Sequence, residues 1–309
     1  MRKIAFAFAI LGTTLVTAFY TAPAHAQATR TWVSGVGDDA NPCSRTAPCK
    51  TWAGAISKTT AGGEIDGLDP GGFGGLTITK SITLDGGGGQ VVSTLVTGTN
   101  GITVAAGSND VVIIRNVRFQ GNLGNGSSPG TAGLTAIQFS SGAVLSIENC
   151  AITGFNSAGI GASTSANAVL NVINTTISNT ANGINLAPTG GTLNGVMDHS
   201  TIEDVSSNGV TTGSGSSVIF TIRNSNIVNA MGVGVNSGGS GTVLDVDSSS
   251  VSNDNTGFMT TGGTIRISRN VIYDNNTNFT ISGGTIATTG DNVVSVNGST
   301  NPNGSVTHQ

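Results

Sequence analysis

The chain has 309 residues and a formal net charge of −4, with charged residues at only 9% and 47 glycines. So low a charge density is unusual for a soluble domain, and the mild acidity excludes the basic stripe that a nucleic-acid partner requires. Abundant Gly, Ser, Thr and Asn could also mean disorder, but apolar residues recur here at fixed intervals, a rhythm that disordered chains do not keep.

The N-terminus opens Met1-Arg2-Lys3, runs apolar from Ile4 to about Val16, and reaches Ala24-His25-Ala26. A basic start, a short apolar stretch and an A-x-A site predict a secretory signal over residues 1–26, cleaved between Ala26 and Gln27. The stretch is short of the ~20 residues of a membrane span and is interrupted by threonines. No later stretch is long and apolar enough to cross, so the mature chain is expected to have no membrane span. Loss of Arg2 and Lys3 leaves 10 of the 12 basic residues against 16 acidic ones. Secretion, whether extracellular or periplasmic, also permits disulfides.

Residues 27–62 read as an N-terminal capping segment. Cys43 and Cys49 flank a short loop, and a bridge between them is expected, with two unpaired thiols as the alternative. Such a bridge would stabilise mainly by restricting the unfolded chain. Trp52, Ala55 and Ile56 fall on one face if that stretch is helical.

From residue 63 to 309 the chain is expected to form repeated coils with a polar C-terminal tail. An apolar residue is followed five positions later by another at Ile114/Phe119, Ile147/Ile152, Val172/Ile177, Met197/Ile202, Ile222/Ile227, Val246/Val251 and Ile267/Ile272. From Ile147 onward the first members are 25, 25, 25, 24 and 21 residues apart. A second marker keeps step: Gly159-Ile160, Gly183-Ile184, Gly209-Val210, Gly234-Val235 and Gly257-Phe258. Between Ile114 and Ile147 the surplus fits a Gly/Ser/Pro-rich insertion at 123–131. β-Branched residues alternate with polar ones within each repeat, bounded by Gly, Asn and Ser, which is a strand signal.

Near-absence of helix formers in the repeats excludes a leucine-rich repeat, and Thr242 stands where a calcium-binding nonapeptide roll needs Asp. What remains is an all-β solenoid with about three short strands per turn, stacked at the ~4.8 Å of paired strands.

Aligned coils form columns. Two residues after the anchor stand Asn116, Asn149, Asn174, His199, Asn224, Ser248 and Arg269. Asn tolerates the left-handed backbone of a tight bend, and its stacked amides are expected to hydrogen-bond from coil to coil as a buried structural ladder. One position on come Cys150, Thr175, Ser200, Ser225 and Ser249, all small, so Cys150 reads as a small core residue rather than a reactive thiol.

The stretch Thr31-Trp32-Val33-Ser34-Gly35-Val36-Gly37-Asp38-Asp39-Ala40-Asn41-Pro42, continued by Pro48-Cys49-Lys50-Thr51-Trp52, Ala55-Ile56 and Ala61-Gly62-Gly63-Glu64-Ile65, resembles the opening of secreted bacterial proteins of the pectin-lyase-like β-helix superfamily. It departs from their pattern in Glu64, where Asp is usual, and in the cysteine pair. The resemblance implies a right-handed parallel β-helix closed at its N-terminal end by a short amphipathic capping helix, which covers the first coil, whose bare strand edge would invite aggregation.

Members of that superfamily include lyases, hydrolases, epimerases and adhesins, so the fold does not choose a function. The outward column after the Gly marker reads Gly161, Asn185, Thr211, Asn236, Met259 and contains neither a carboxylate nor a base. A second column reads Glu148, Ile173, Asp198, Arg223, Asp247, a surface charge ladder in which Arg223 is expected between two acids. Turn residues Glu203, Asp204, Asp254 and Asp274 are the remaining catalytic candidates. Asp204 and Asp254, two coils apart at roughly 10 Å, approach the separation of an inverting acid/base pair. His199 takes a bend position, and no cluster has metal-ligand spacing, so no cofactor or metal is expected. The composition therefore favours a non-catalytic secreted or surface-associated module, structural or adhesive, with a polysaccharide or cell-surface glycan as candidate partner. The alternative is a polysaccharide-active enzyme (lyase, hydrolase or epimerase) using the turn acids.

Overall fold

The computed structural model describes residues 27–122, 132–295 and 300–307. The expected signal peptide and the 123–131 insertion lie outside the described residues.

Strands pair parallel throughout, each with its counterpart one coil away. The first strand of a coil carries the Gly marker, for example Phe155–Ala162 and Asn182–Leu186. The second carries the anchor, as in Val144–Glu148 and Ala168–Ile173. The third is short, as in Ala151–Thr153 and Thr176–Ser178. First and second strands merge in the later coils, where Thr256–Ser268 and Thr277–Thr288 run through both. Third strands form a separate ten-stranded sheet.

The register expected from the repeat is the register observed. Ile114, Ile147, Val172, Met197, Ile222, Val246 and Ile267 are successive partners. So are Phe119, Ile152, Ile177, Ile202, Ile227, Val251 and Ile272. Both columns point inward and are buried, forming one continuous core. The marker glycines are required by close approach. A Cβ on Gly209 would come within 2.5 Å of the Gly234 carbonyl oxygen in the next coil and 2.5 Å of the Ile227 side chain.

Two residues per coil take a left-handed conformation and turn the chain through its corners. At the first corner these are Asn116, Asn149, Asn174, His199, Asn224, Ser248 and Arg269, with φ between 49° and 60°. Their side chains depart from expectation: Asn149, Asn174, His199 and Asn224 are exposed rather than buried. Asn174 donates to Asn149 (2.5 Å), whereas Asn116 and Asn224 donate to Asp85 and Asp198. Solvent satisfies what the stack does not, so these residues serve the backbone bend more than an amide ladder. The buried ladder lies one residue on. The Cys150 N–H donates to Thr175 Oγ1, Thr175 to Ser200, Ser200 to Ser225, Ser225 to Ser249, Ser249 to Asn270, and Asn270 to Asn292, at 2.9–3.3 Å. Small side chains at that column accept the backbone N–H groups that the sharp bend leaves without strand partners.

Asn174→Leu is therefore expected to cost about 1–2 kcal/mol through left-handed strain, with Asn174→Gly close to neutral. Thermal denaturation of both variants checks this; Leu proving as stable as Gly would show that the bend conformation is not what selects Asn.

At the N-terminal end, helix α1 (Trp52–Ile56) lies against the first coils, with Trp52 and Ala55 buried and Ile56 packed against the core. Thr51 caps it, accepting from the Gly54 N–H at 2.9 Å. Cys43 and Cys49 are bridged, and Cys150 is free and buried, its thiol pushed up to about 12 by desolvation. The Lys58 ammonium donates to the Asp39 and Asn41 carbonyls at 2.5 Å each, tying the bridged loop to the end of α1.

Candidate functional site

Ionisable side chains of the outer surface gather on the face made by the second strands. Residues immediately after the anchors form an outward column: Asp66, Asp85, Arg115, Glu148, Ile173, Asp198, Arg223, Asp247 and Ser268. Two positions earlier on each strand runs a companion column containing Arg30, Glu64, Asp245 and Arg266. Charge concentrates at the two ends, and Ser146, Asn171 and Val196 fill the middle of the companion column.

At the N-terminal end Arg30 bridges Glu64 (2.7 Å) and Asp66 (2.5 Å), and Arg115 bridges Glu64 (3.2 Å) and Asp85 (2.7 Å). One carboxylate oxygen from each of Glu64, Asp66 and Asp85 lies within 4.8 Å of the other two. Like charges so close need cations, which the two guanidinium groups supply. Desolvation, with the neighbouring Asp66, raises the Glu64 carboxyl above the usual range. Asp85 is lowered: desolvation opposes this, but hydrogen bonds from Asn116, Gly87 and Arg115 prevail. The Arg30 guanidinium also lies 5.8 Å from the Trp32 ring, a cation–π distance.

At the other end Asp198 accepts from Arg223 (3.0 Å) and Asn224 (3.1 Å), and His199 Nδ1 lies 2.9 Å from the same carboxylate. Arg223 stands in register between Asp198 and Asp247 as expected, but its ion pair is with Asp198, and Asp247 is taken by Arg269 of the following bend at 2.5 Å. Arg269 is the left-handed bend residue of the following coil, the place from which Asn224 reaches Asp198 and Asn116 reaches Asp85. Asp245 is held by Arg266 at 2.5 Å.

The turn acids do not converge. Asp204 and Asp274 are left-handed residues of the second corner, exposed to solvent, and Asp204 accepts from Asn229 at 3.0 Å. Asp254 follows the left-handed Asn253 and points the other way, into the core, where it is 2% exposed. The expected Asp204/Asp254 acid/base pair is thereby corrected: one position of offset at a tight corner turns a side chain from outside to inside. Glu203 is half-buried on the third-strand face. His199 is 67% exposed beside Asp198.

Arg30, Asp66, Asp85 and Arg115 were missed by sequence reasoning. The signal was present, since Arg115 directly follows the anchor Ile114, and the same rule applied upstream leads to Asp85 after Leu84 and Asp66 after Ile65. The outward first-strand column has the expected register, Gln138, Gly161, Asn185, Thr211, Asn236, Met259 and Thr280, and bears no charge.

Concavities among the described residues are modest. A cleft of about 550 Å³ lies at the N-terminal end between Gln27, Ala28, Asn41, Pro42 and Lys58. A shallow depression of about 370 Å³ lies at the second corner beside Asn229, Met231, Asn253, Asp274 and Asn276. Neither contains an acid facing a base.

A family model described as "Right handed beta helix region" matches residues 80–251, more than half of the chain. No curated protein matches it. Among solved structures, the A-module of the mannuronan C-5 epimerase AlgE4 of Azotobacter vinelandii aligns at 12% identity and a TM-score of 0.37, over 80% of this chain and 91% of that one. With the coil register and the parallel pairing of its strands, the family match establishes that this chain belongs to the right-handed β-helix family.

Proposed function

We propose that this chain is an exported, non-catalytic β-helix, a structural or adhesive module whose partner is a polysaccharide or cell-surface glycan. The observation that carries this reading is the state of the surface acids. Glu64, Asp66, Asp85, Asp198, Asp245 and Asp247 each touch an arginine one coil away. Glycosidic chemistry needs an acid and a base, or a nucleophile, free to exchange a proton or attack at a defined separation. Paired acids instead lace neighbouring coils together, each exposed pair contributing a fraction of a kcal/mol to about 1. A stiff rod with an uncharged polar first-strand face suits a scaffold or a neutral glycan surface.

The mature protein, beginning at Gln27, is expected to bind immobilised glycans on an array and to release no reducing ends or unsaturated products from pectate, alginate or neutral glucans. Cleavage of any of them would overturn the reading.

One observation favours a second reading, a polysaccharide-active enzyme: the His199 side chain is largely exposed with Nδ1 2.9 Å from Asp198, and Arg223 is bound to the same carboxylate. Such an enzyme would lose its activity in His199→Ala and retain it in Asp204→Asn.

A further inference from the structure

We propose that Asp254 is a buried carboxylic-acid donor, and that loss of its proton loosens the coils around it, giving the C-terminal half of the solenoid a pH-sensitive latch. The second-corner column that contains it reads Thr180, Val205, Ala230, Asp254 and Asn275, all at most 2% exposed. Its backbone and one oxygen are engaged like other members of the column. The Ala230 N–H donates to Asp254 Oδ1 at 2.7 Å, and the Asp254 N–H donates to Asn275 Oδ1 at 2.9 Å.

Asn275 shows what the second oxygen faces. Its Nδ2 donates to the Val251 carbonyl of the preceding coil (3.1 Å) and to Asn278. A Cβ built on Gly257 would lie 2.8 Å from that Nδ2. One coil earlier, a Cβ built on Gly234 would lie 2.4 Å from Asp254 Oδ2. Asp254 Oδ2 thus occupies the place where the next coil puts a hydrogen-bond donor, and it is without a partner. A carboxylate there is an acceptor in a donor's position, desolvated. A carboxylic acid there can donate as Asn275 does.

Among the described residues no compensating cation approaches. Adjoining strands Asn226–Ala230, Val233–Ser237 and Ser250–Ser252 contain no titratable side chain. On Thr256–Ser268 the one charged residue is Arg266, bound to Asp245 on the second-strand face. Thr277–Thr288 contains none. Tyr273 and Asp274 nearby, and Glu203 and Asp204 two coils back, belong to the outer side of the corner, three of them exposed and Glu203 half-buried. Desolvation accordingly holds the proton on up to about 7, opposed only by the Ala230 N–H. The folded value lies above the unfolded ~3.9. Stability from this group is therefore fully present below about 4, declines as pH rises, and is lost by the time pH has passed through about 7.

The test compares wild type with Asp254→Asn, which supplies a permanent donor, and with Asp254→Thr, a neutral residue already used in the column. Amide protection of the coils flanking residue 254, divided by that of Asp254→Asn at the same pH, is expected to fall about tenfold per pH unit between pH 4 and 7 and to level off above. Asp204→Asn is expected to follow wild type. The infrared band of a protonated carboxylic acid is expected to be stronger at pH 5 in wild type than in either Asp254 variant. Parallel pH profiles for wild type and the two Asp254 variants, or no such difference in the band at pH 5, would overturn the proposal.

Discussion

Trp52→Ala is expected to destabilise the N-terminal coils by about 3–5 kcal/mol, the range for removing a fully buried tryptophan. Trp52 is 0% exposed, meets Phe73 edge-on at 5.2 Å, and donates its indole N–H to Thr94 Oγ1 at 3.2 Å. Truncation leaves a cavity, an unmatched hydroxyl and an uncovered strand edge. Because each coil of a solenoid touches only its neighbours, the damage should stay local. Hydrogen exchange is expected to quicken in the coils around Ile65 and Leu84 and to change little beyond Val172. An even loss of protection along the whole rod would contradict nearest-neighbour stacking, and unchanged protection would mean that α1 does not hold the first coil.

Phe258→Ala is expected to cost a similar amount, about 3–5 kcal/mol, at the other end. Phe258 is 0% exposed and stacks on Phe279 one coil away, with ring centroids 5.9 Å apart and planes at 24°. In earlier coils the same column contains Ile160, Ile184, Val210 and Val235. The switch to phenylalanine coincides with the shortening of the coils to 21 residues, and larger rings pack the interior there. Phe258→Ile should therefore be milder than Phe258→Ala but still destabilising. Urea denaturation followed by far-UV circular dichroism reads both, and an Ala variant no weaker than the Ile variant would mean that the interior collapses around the gap.

These two aromatic residues differ in how far the amino-acid sequence foretells them. Phe258 was legible as an inward residue because it follows Gly257 in a marker that recurs with the coil period. Strand stacking enforces that period: a one-residue slip would send every side chain of the coil to the opposite face. Fold class, coil register, the left-handed bends at Asn149 and Asn174, and the Cys43–Cys49 pair are all local or periodic properties, and a single chain displays them openly. Trp52 was legible only as one face of a short helix, since its partners Phe73 and Thr94 lie far along the chain and share no period with it.

What only the tertiary structure decided is which way a corner residue points and what meets it from the next coil. Asp204 and Asp254 look alike in sequence, two turn acids among Ser, Asn and Gly. The left-handed residue at a corner must face solvent while its successor must face in, so that one step separates an exposed acid from a buried one. The same step moves the buried ladder from Asn149 and Asn174 to Cys150 and Thr175. Ion pairing was likewise beyond the sequence. Arg223 and Arg269 both belong to coils adjoining Asp247, yet the pairs that form are Arg223–Asp198 and Arg269–Asp247, which the spacing of charges along the chain does not specify. Periodicity sets the columns of this protein, and the corners set what each column can do, because at a corner a single backbone dihedral reverses the face to which a side chain belongs.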